Sequence, residues 1–310
     1  MNSGQTSIHD RALGRWEYIL SAVGIDRKYL TKRHTACPIC NAGKDRFRWT
    51  DHQGKGSYIC NQCGSGTGID LVMAVLKTDF RGAVKAIEPH VGSAPIVAPK
   101  AQQAPKRDGA AMWGRGQKLI AGDVVTRYLA KRGIRLDTLP SQLRLLPDAS
   151  YRHDDGRRET HPAMLAHFVA PDLSSATVHF TYLTEAGEKA PVPTVRKYYP
   201  GPVPKGGAVR LAPSAETMGV AEGIETALAA AALNDIPVWS TLTAGGLLNW
   251  EPPATARNII IFGDCDGNFT GQCAANSLAH KLANLGLRAE VRIPDELGTD
   301  WNDVLQGSMH

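Results

Sequence analysis

One stretch constrains the fold more than any other: Asn258-Ile259-Ile260-Ile261-Phe262-Gly263-Asp264-Cys265-Asp266-Gly267-Asn268. Four apolar residues in a row, closed by a glycine, predict a strand buried on both faces, as in a parallel sheet. Two carboxylates one residue apart follow it, at the carboxyl end where open α/β sheets place their ligands. Alternate side chains of an extended chain share a side, so Asp264 and Asp266 would face together. Hydrated Mg²⁺ is the usual way to offset such repulsion. An acidic turn that binds nothing is the competing reading of these residues alone.

The surroundings repeat the pattern. Residues 217–221 read as a short strand ending at Glu222-Gly223, 224–233 as an Ala-rich helix, 237–241 as a strand and Gly245-Gly246 as a turn. After the strand at 259–262 come a helix over 271–285, a strand over 289–293 and a final segment at 300–305. Such β-α alternation predicts a parallel sheet wrapped by helices. Glu222 stands directly after a strand, as Asp264 does. If the two strands are neighbours, Glu222, Asp264 and Asp266 converge at one sheet edge, and the helix starting near Ile224 could turn its N-terminus to phosphate.

A different chemistry opens the chain. Cys37, Cys40, Cys60 and Cys63 are spaced C-x2-C-x19-C-x2-C, which fits two thiolate knuckles closing a tetrahedron around Zn²⁺. Between them, Arg46-Phe47-Arg48-Trp49 and Ser57-Tyr58-Ile59 alternate like strands around a turn, the layout of a zinc ribbon. Four cysteines already close the site, so His34 is not expected to be a ligand, and the zinc is structural. Arg46, Arg48 and Trp49 suit single-stranded nucleic acid through phosphate attraction and base stacking. Phe47 and Trp49 could equally form the ribbon's own core. A helix is expected over 10–24, and two more over 69–76 and 80–88.

Pro, Ala and Gln then break all periodicity, and a semi-extended linker is assigned to 89–108. A helix over 115–133 and short alternating runs over 142–210 predict a helical and β-rich unit carrying Lys189, Arg196, Lys197 and Lys205. The domain reading is 1–88 zinc ribbon, 89–108 linker, 109–215 basic β-rich subdomain and 216–310 parallel α/β domain. Net charge supports the division: +7 for 1–108, +6 for 109–210 and −8 for 211–310. The first two segments would attract a polyanion and the last would gather cations. No apolar run reaches the roughly 20 residues of a membrane span, and the polar start lacks a signal-peptide core. A cytoplasmic protein with reduced thiols is expected, with Cys265 and Cys273 as ordinary small residues.

Residues 220–228 (Val-Ala-Glu-Gly-Ile-Glu-Thr-Ala-Leu), followed by Gly263-Asp264-Cys265-Asp266, resemble the Toprim domain shared by bacterial DnaG-type primases, type IA and type II topoisomerases and OLD-type nucleases. The ribbon, with Lys44-Asp45-Arg46-Phe47-Arg48-Trp49 and Cys60-Asn61-Gln62-Cys63-Gly64-Ser65-Gly66-Thr67-Gly68, is similar to the amino-terminal ribbon of phage- and plasmid-type primases. So are His161-Pro162-Ala163, Thr181-Tyr182-Leu183 and the ending Gly298-Thr299-Asp300-Trp301-Asn302-Asp303. The resemblance implies RNA primer synthesis from ribonucleoside triphosphates on a single-stranded DNA template. Glu222, Asp264 and Asp266 would be catalytic through Mg²⁺ or Mn²⁺, with Asp300 and Asp303 completing a second metal site. Lys189, Arg196 and Lys197 would bind nucleotide or template. Two departures stand out. Thr226 replaces an acid usual in cellular primases, for which Glu225 could substitute, and Cys40 replaces a histidine, as suits a mobile-element branch. No P-loop G-x-x-x-x-G-K-[ST] occurs, so a separate replicative helicase is implied. The setting would be a bacterial cytoplasm, with the chain encoded by a phage, plasmid or integrated element. A Toprim nuclease and a non-catalytic DNA-binding replication accessory are the rival functions.

Overall fold

A computed structural model describes residues 7–41, 43–60, 62–92, 109–153 and 155–308, and the chain divides into two units, Met1–Gln103 and Ala104–His310. The first unit begins with α1 (Ile8–Ala12) and α2 (Trp16–Ala22). The single helix expected over 10–24 is therefore two, broken where Gly14 takes a positive φ of 73°. The ribbon follows as β1 (Phe47–Trp49), β2 (Tyr58–Cys60) and β3 (Gly64–Gly66), all antiparallel. Then come α3 (Gly68–Leu76) and α4 (Phe80–Val91). Trp16 is buried under the ribbon's turn. A Cβ on Gly68 would come within 2.1 Å of the indole ring, so only glycine fits there. Helix α4 runs through Pro89 to Val91, so the first residues assigned to the linker are helical. Its stretch 93–108 lies outside the described residues.

Strand alternation decides the ribbon's faces. Phe47, Trp49 and Tyr58 are at most 5% exposed and form its core, whereas Ile59 faces out. Trp49 is thus a core residue, closed to base stacking.

The second unit starts with α5 (Gly109–Arg115), β4 (Gln117–Lys118) and α6 (Val124–Lys131). These replace the one helix expected over 115–133. Gly122 adopts a φ of +83°, and Asp123 caps α6 by accepting from Thr126 N. Four antiparallel strands follow: β5 (Leu143–Arg152), β6 (Arg158–Val169), β7 (Ala176–Tyr182) and β8 (Arg196–Tyr198). The short β9 (Ala208–Val209) leads to β10 (Thr217–Ala221), α7 (Ile224–Asn234), β11 (Val238–Ser240) and α8 (Ala244–Asn249). The chain ends in β12 (Asn258–Phe262), α9 (Thr270–Asn284), β13 (Arg288–Arg292) and α10 (Trp301–Gly307).

Strands β13, β12, β10 and β11 are parallel neighbours. Strand β9 pairs antiparallel with both β11 and β6, so one sheet runs from β13 to β4. Along β12, Ile260 and Phe262 pack with α7, while Ile259 and Ile261 pack with α9. Both faces are buried, as the run of four apolar residues required.

Candidate active site and zinc centre

The four cysteine sulfurs of the ribbon lie within 4.8 Å of one another. Cys37 Sγ and Cys63 Sγ are 3.8 Å apart, the edge of a tetrahedron with Zn–S bonds of about 2.3 Å. Backbone N–H groups of Ile39, Gln62 and Cys63 donate to the sulfurs at 3.4 Å, which favours thiolates. His34 instead donates its Nδ1 proton to the Asp45 carbonyl at 2.7 Å. The donor set therefore suits one Zn²⁺, with no position left for substrate.

The acids meet at the strand ends of the second unit. In register Ala221 faces Phe262, so Glu222 and Asp264 leave adjacent parallel strands at the same edge. They line one pocket with Asp300, Arg132, Lys189, Arg196 and His179. Oδ1 of Asp264 is shielded from solvent and meets no hydrogen-bond donor among the described residues. Burial first, and then the charges of Glu222, Asp300 and Asp266, push this carboxyl up to about 8. Burial and Asp266 likewise raise Glu222. Asp266 is anchored differently, accepting from Gly271 N at the start of α9 at 2.9 Å. Gly271 itself must be glycine, since a Cβ would sit 2.8 Å from the Asp264 carbonyl. Among the described residues only the four cysteines gather three ligand atoms within 4.8 Å. Mg²⁺ keeps several waters and commonly takes one or two carboxylates, so the unpartnered Asp264 oxygen beside Glu222 still fits it.

Three cations, Arg132, Lys189 and Arg196, line the same pocket. Burial and the charge of Arg196 hold the Lys189 ammonium below its ordinary range. His179 is 5% exposed, leaves Nδ1 without a partner, and is held neutral by burial and Arg196, at about 4. Strand alternation separates the two basic neighbours of β8. Arg196 faces the acids, whereas Lys197 lies 3.7 Å over the Tyr151 ring, donates to the Arg152 carbonyl and lines a different groove with Arg152 and Arg158. Glu225 has both oxygens engaged, by Arg196 and by the Tyr128 hydroxyl. Asp300 faces the pocket and also caps α10, while Asp303 is exposed and bonds back to Asp300 N. Arg46 donates to Gln62 at 2.6 Å, and Arg48 is half-buried. Sequence reasoning missed Arg132, Tyr128 and His179. The last sits in the alternating run 177–183; period two puts it on the face of Thr181, and the strand register, which pairs Thr181 with Arg196, brings it to Arg196's side of the sheet.

Three family models match in succession. They are the zinc-binding domain of primase-helicase over 32–69, a domain of unknown function (DUF7146) over 103–211 and the Toprim domain over 217–308. Similar solved structures include the Aquifex aeolicus primase with its zinc-binding and RNA polymerase domains, 13% identical over 88% of this chain and 75% of that one, with a TM-score of 0.41. A DNA primase domain from Pseudomonas aeruginosa is 15% identical over 64% and 73%, with a TM-score of 0.44. The primase fragment of the bacteriophage T7 primase-helicase is 15% identical over 89% and 95%, with a TM-score of 0.36. The family models, and not overlays at these scores, carry the assignment. Among the described residues no helix is long and apolar enough to cross a membrane. The chain carries the zinc-binding domain of primase-helicases ahead of a Toprim domain, the domain pairing of the DnaG-like primases.

Proposed function

We propose that the protein is a DNA primase that joins ribonucleotides on a single-stranded DNA template in the pocket between Asp264 and Arg196. One observation carries the reading: an acid pair with an unpartnered oxygen shares a single pocket with three cations, Arg132, Lys189 and Arg196. Carboxylates alone would repel a triphosphate, and cations alone would bind it without activating it. Glu222 and Asp264, with Asp266 behind them, would hold Mg²⁺ or Mn²⁺, which supplies charge stabilisation for the attacking and leaving oxygens. Lys189, Arg196 and Arg132 bind the phosphates and orient them toward the strand ends. Neutral His179 lines the same pocket and leaves its buried Nδ1 without a partner. The zinc unit presents basic residues to template, in keeping with the net +7 of residues 1–108. A helicase motor would come from a separate chain, and a phage, plasmid or integrated element in a bacterial cell is the setting that the ribbon's likeness favours.

The test is primer synthesis on a panel of single-stranded templates with Mg²⁺, omitting each ribonucleoside triphosphate in turn. Template-dependent short RNA is expected, and Asp264→Ala is expected to abolish it in folded protein. Retention of synthesis by that variant would sink the mechanism. Cleavage of labelled DNA with metal but without nucleotides would instead identify a nuclease, and DNA binding without incorporation an accessory protein.

A further inference from the structure

Glu225 lies three residues after Glu222, yet its carboxylate is committed elsewhere. Oε2 accepts from Arg196 at 2.8 Å and Oε1 from the Tyr128 hydroxyl, and the side chain is 3% exposed. Arg196 is 46% exposed on its side chain and lines the pocket with Lys189, Glu222 and Asp264. The ion pair is thus sealed on its anionic side and open on its cationic side. Three elements distant in sequence, α6, β8 and α7, converge to build it. A pair that served only to fill the core would bury both members, because a half-open guanidinium keeps its hydration and gives little stability. Here the carboxylate fixes one edge of a planar fork and leaves the other donors aimed at the acids' pocket. A guanidinium held this way loses less freedom when it binds phosphate oxygens.

We propose that Glu225 and Tyr128 are positioning residues that hold Arg196 ready for the phosphates of an incoming nucleoside triphosphate. The inference rests on the triphosphate site described above. It gives Glu225 a role that separates cleanly from metal ligation.

The test measures equilibrium binding of a fluorescent ribonucleoside triphosphate, together with KM, kcat and the Mg²⁺ requirement of primer synthesis, on the full chain. Glu225→Gln is expected to weaken triphosphate binding and raise KM about tenfold, the loss of one charge-assisted contact. The kcat should stay within about threefold and the half-saturating Mg²⁺ concentration should not move. Tyr128→Phe should shift KM in the same direction by less. In an Arg196→Gln background Glu225→Gln should add nothing, because the two act as one unit. An unchanged triphosphate affinity with a raised Mg²⁺ requirement would make Glu225 a metal ligand and overturn the proposal, as would simple additivity with Arg196→Gln. Should Glu225→Gln fail to fold, Tyr128→Phe, which leaves both charges in place, decides by the same readouts. A wild-type chain that binds triphosphate but synthesises nothing defeats the primase reading alone, and the binding measurements still judge the positioning role.

Discussion

Asp264 and Glu225 are carboxylates of one pocket that their surroundings treat in opposite ways. Glu225 has two partners, and despite full burial the Arg196 charge and the Tyr128 hydroxyl hold it well below the usual range. Asp264 has an orphaned oxygen and is pushed above its ordinary 3.8 to about 8. The raised value means that the metal-free folded protein keeps a proton which the unfolded chain has released. This group's contribution is therefore most favourable below pH 3.8 and is lost as pH climbs toward 8. Metal-free Asp264→Asn should accordingly be more stable than the wild type at pH 8, by on the order of 1–2 kcal/mol. The difference should vanish in acid, and denaturant titration at the two pH values checks it. Synthesis by the same variant should drop by about 100-fold or more. Equal stability of the two proteins at pH 8 would mean that Asp264 carries no such strain.

At the scale of elements, short helices and small strands show where pattern reading succeeds. Helix α10 starts with a reciprocal cap in which Asp300 Oδ1 accepts from Asn302 N and Asp303 N, while Asp303 accepts from Asp300 N. That arrangement accounts for Asp303 without metal. Asp303→Asn should lower stability by about 0.5–1 kcal/mol by weakening the cap, and should leave the Mg²⁺ requirement of synthesis in place. A raised requirement would return Asp303 to the metal site. The buried strand β12 was legible because four apolar residues and a glycine admit few alternatives. The segment 115–133 was misread because Ile120, Val124, Tyr128 and Leu129 fit a helical period. Yet Ile120 is 67% exposed, and a Cβ on Gly116 would meet Arg144 at 2.8 Å. Periodicity registers apolar spacing but not the backbone turn at Gly122. Trp49 was ambiguous for a related reason: alternation in a three-residue strand separates two faces without saying which is covered. Residues from outside the ribbon, Trp16, Ile69 and Leu71 among them, join Trp49 in one buried core.

For the whole molecule, the charge division from +6 to −8 foretold that cations and acids come from different stretches of chain. The zinc unit and the 104–310 unit have separate cores. Cys37 and Cys60 belong to the first, so metal binding and folding are one event there. Cys60→Ser should abolish binding of one Zn²⁺ per chain and remove the first unit's thermal transition, leaving that of the second unchanged. Zinc analysis with calorimetry reads both, and loss of both transitions would contradict the division. What no periodicity could reveal is β9, two residues long, where Val209 pairs with both Ser240 and Phe168. The parallel layer and the antiparallel layer are therefore one continuous fabric, although separate family models meet near residue 215. A chimaera cut at that point would part β9 from β11 and leave both with raw edges, a template for aggregation. The exchangeable cassette for laboratory grafting is therefore the entire span from 104 onward, because Val209 ties the two layers together wherever the cut beside it falls.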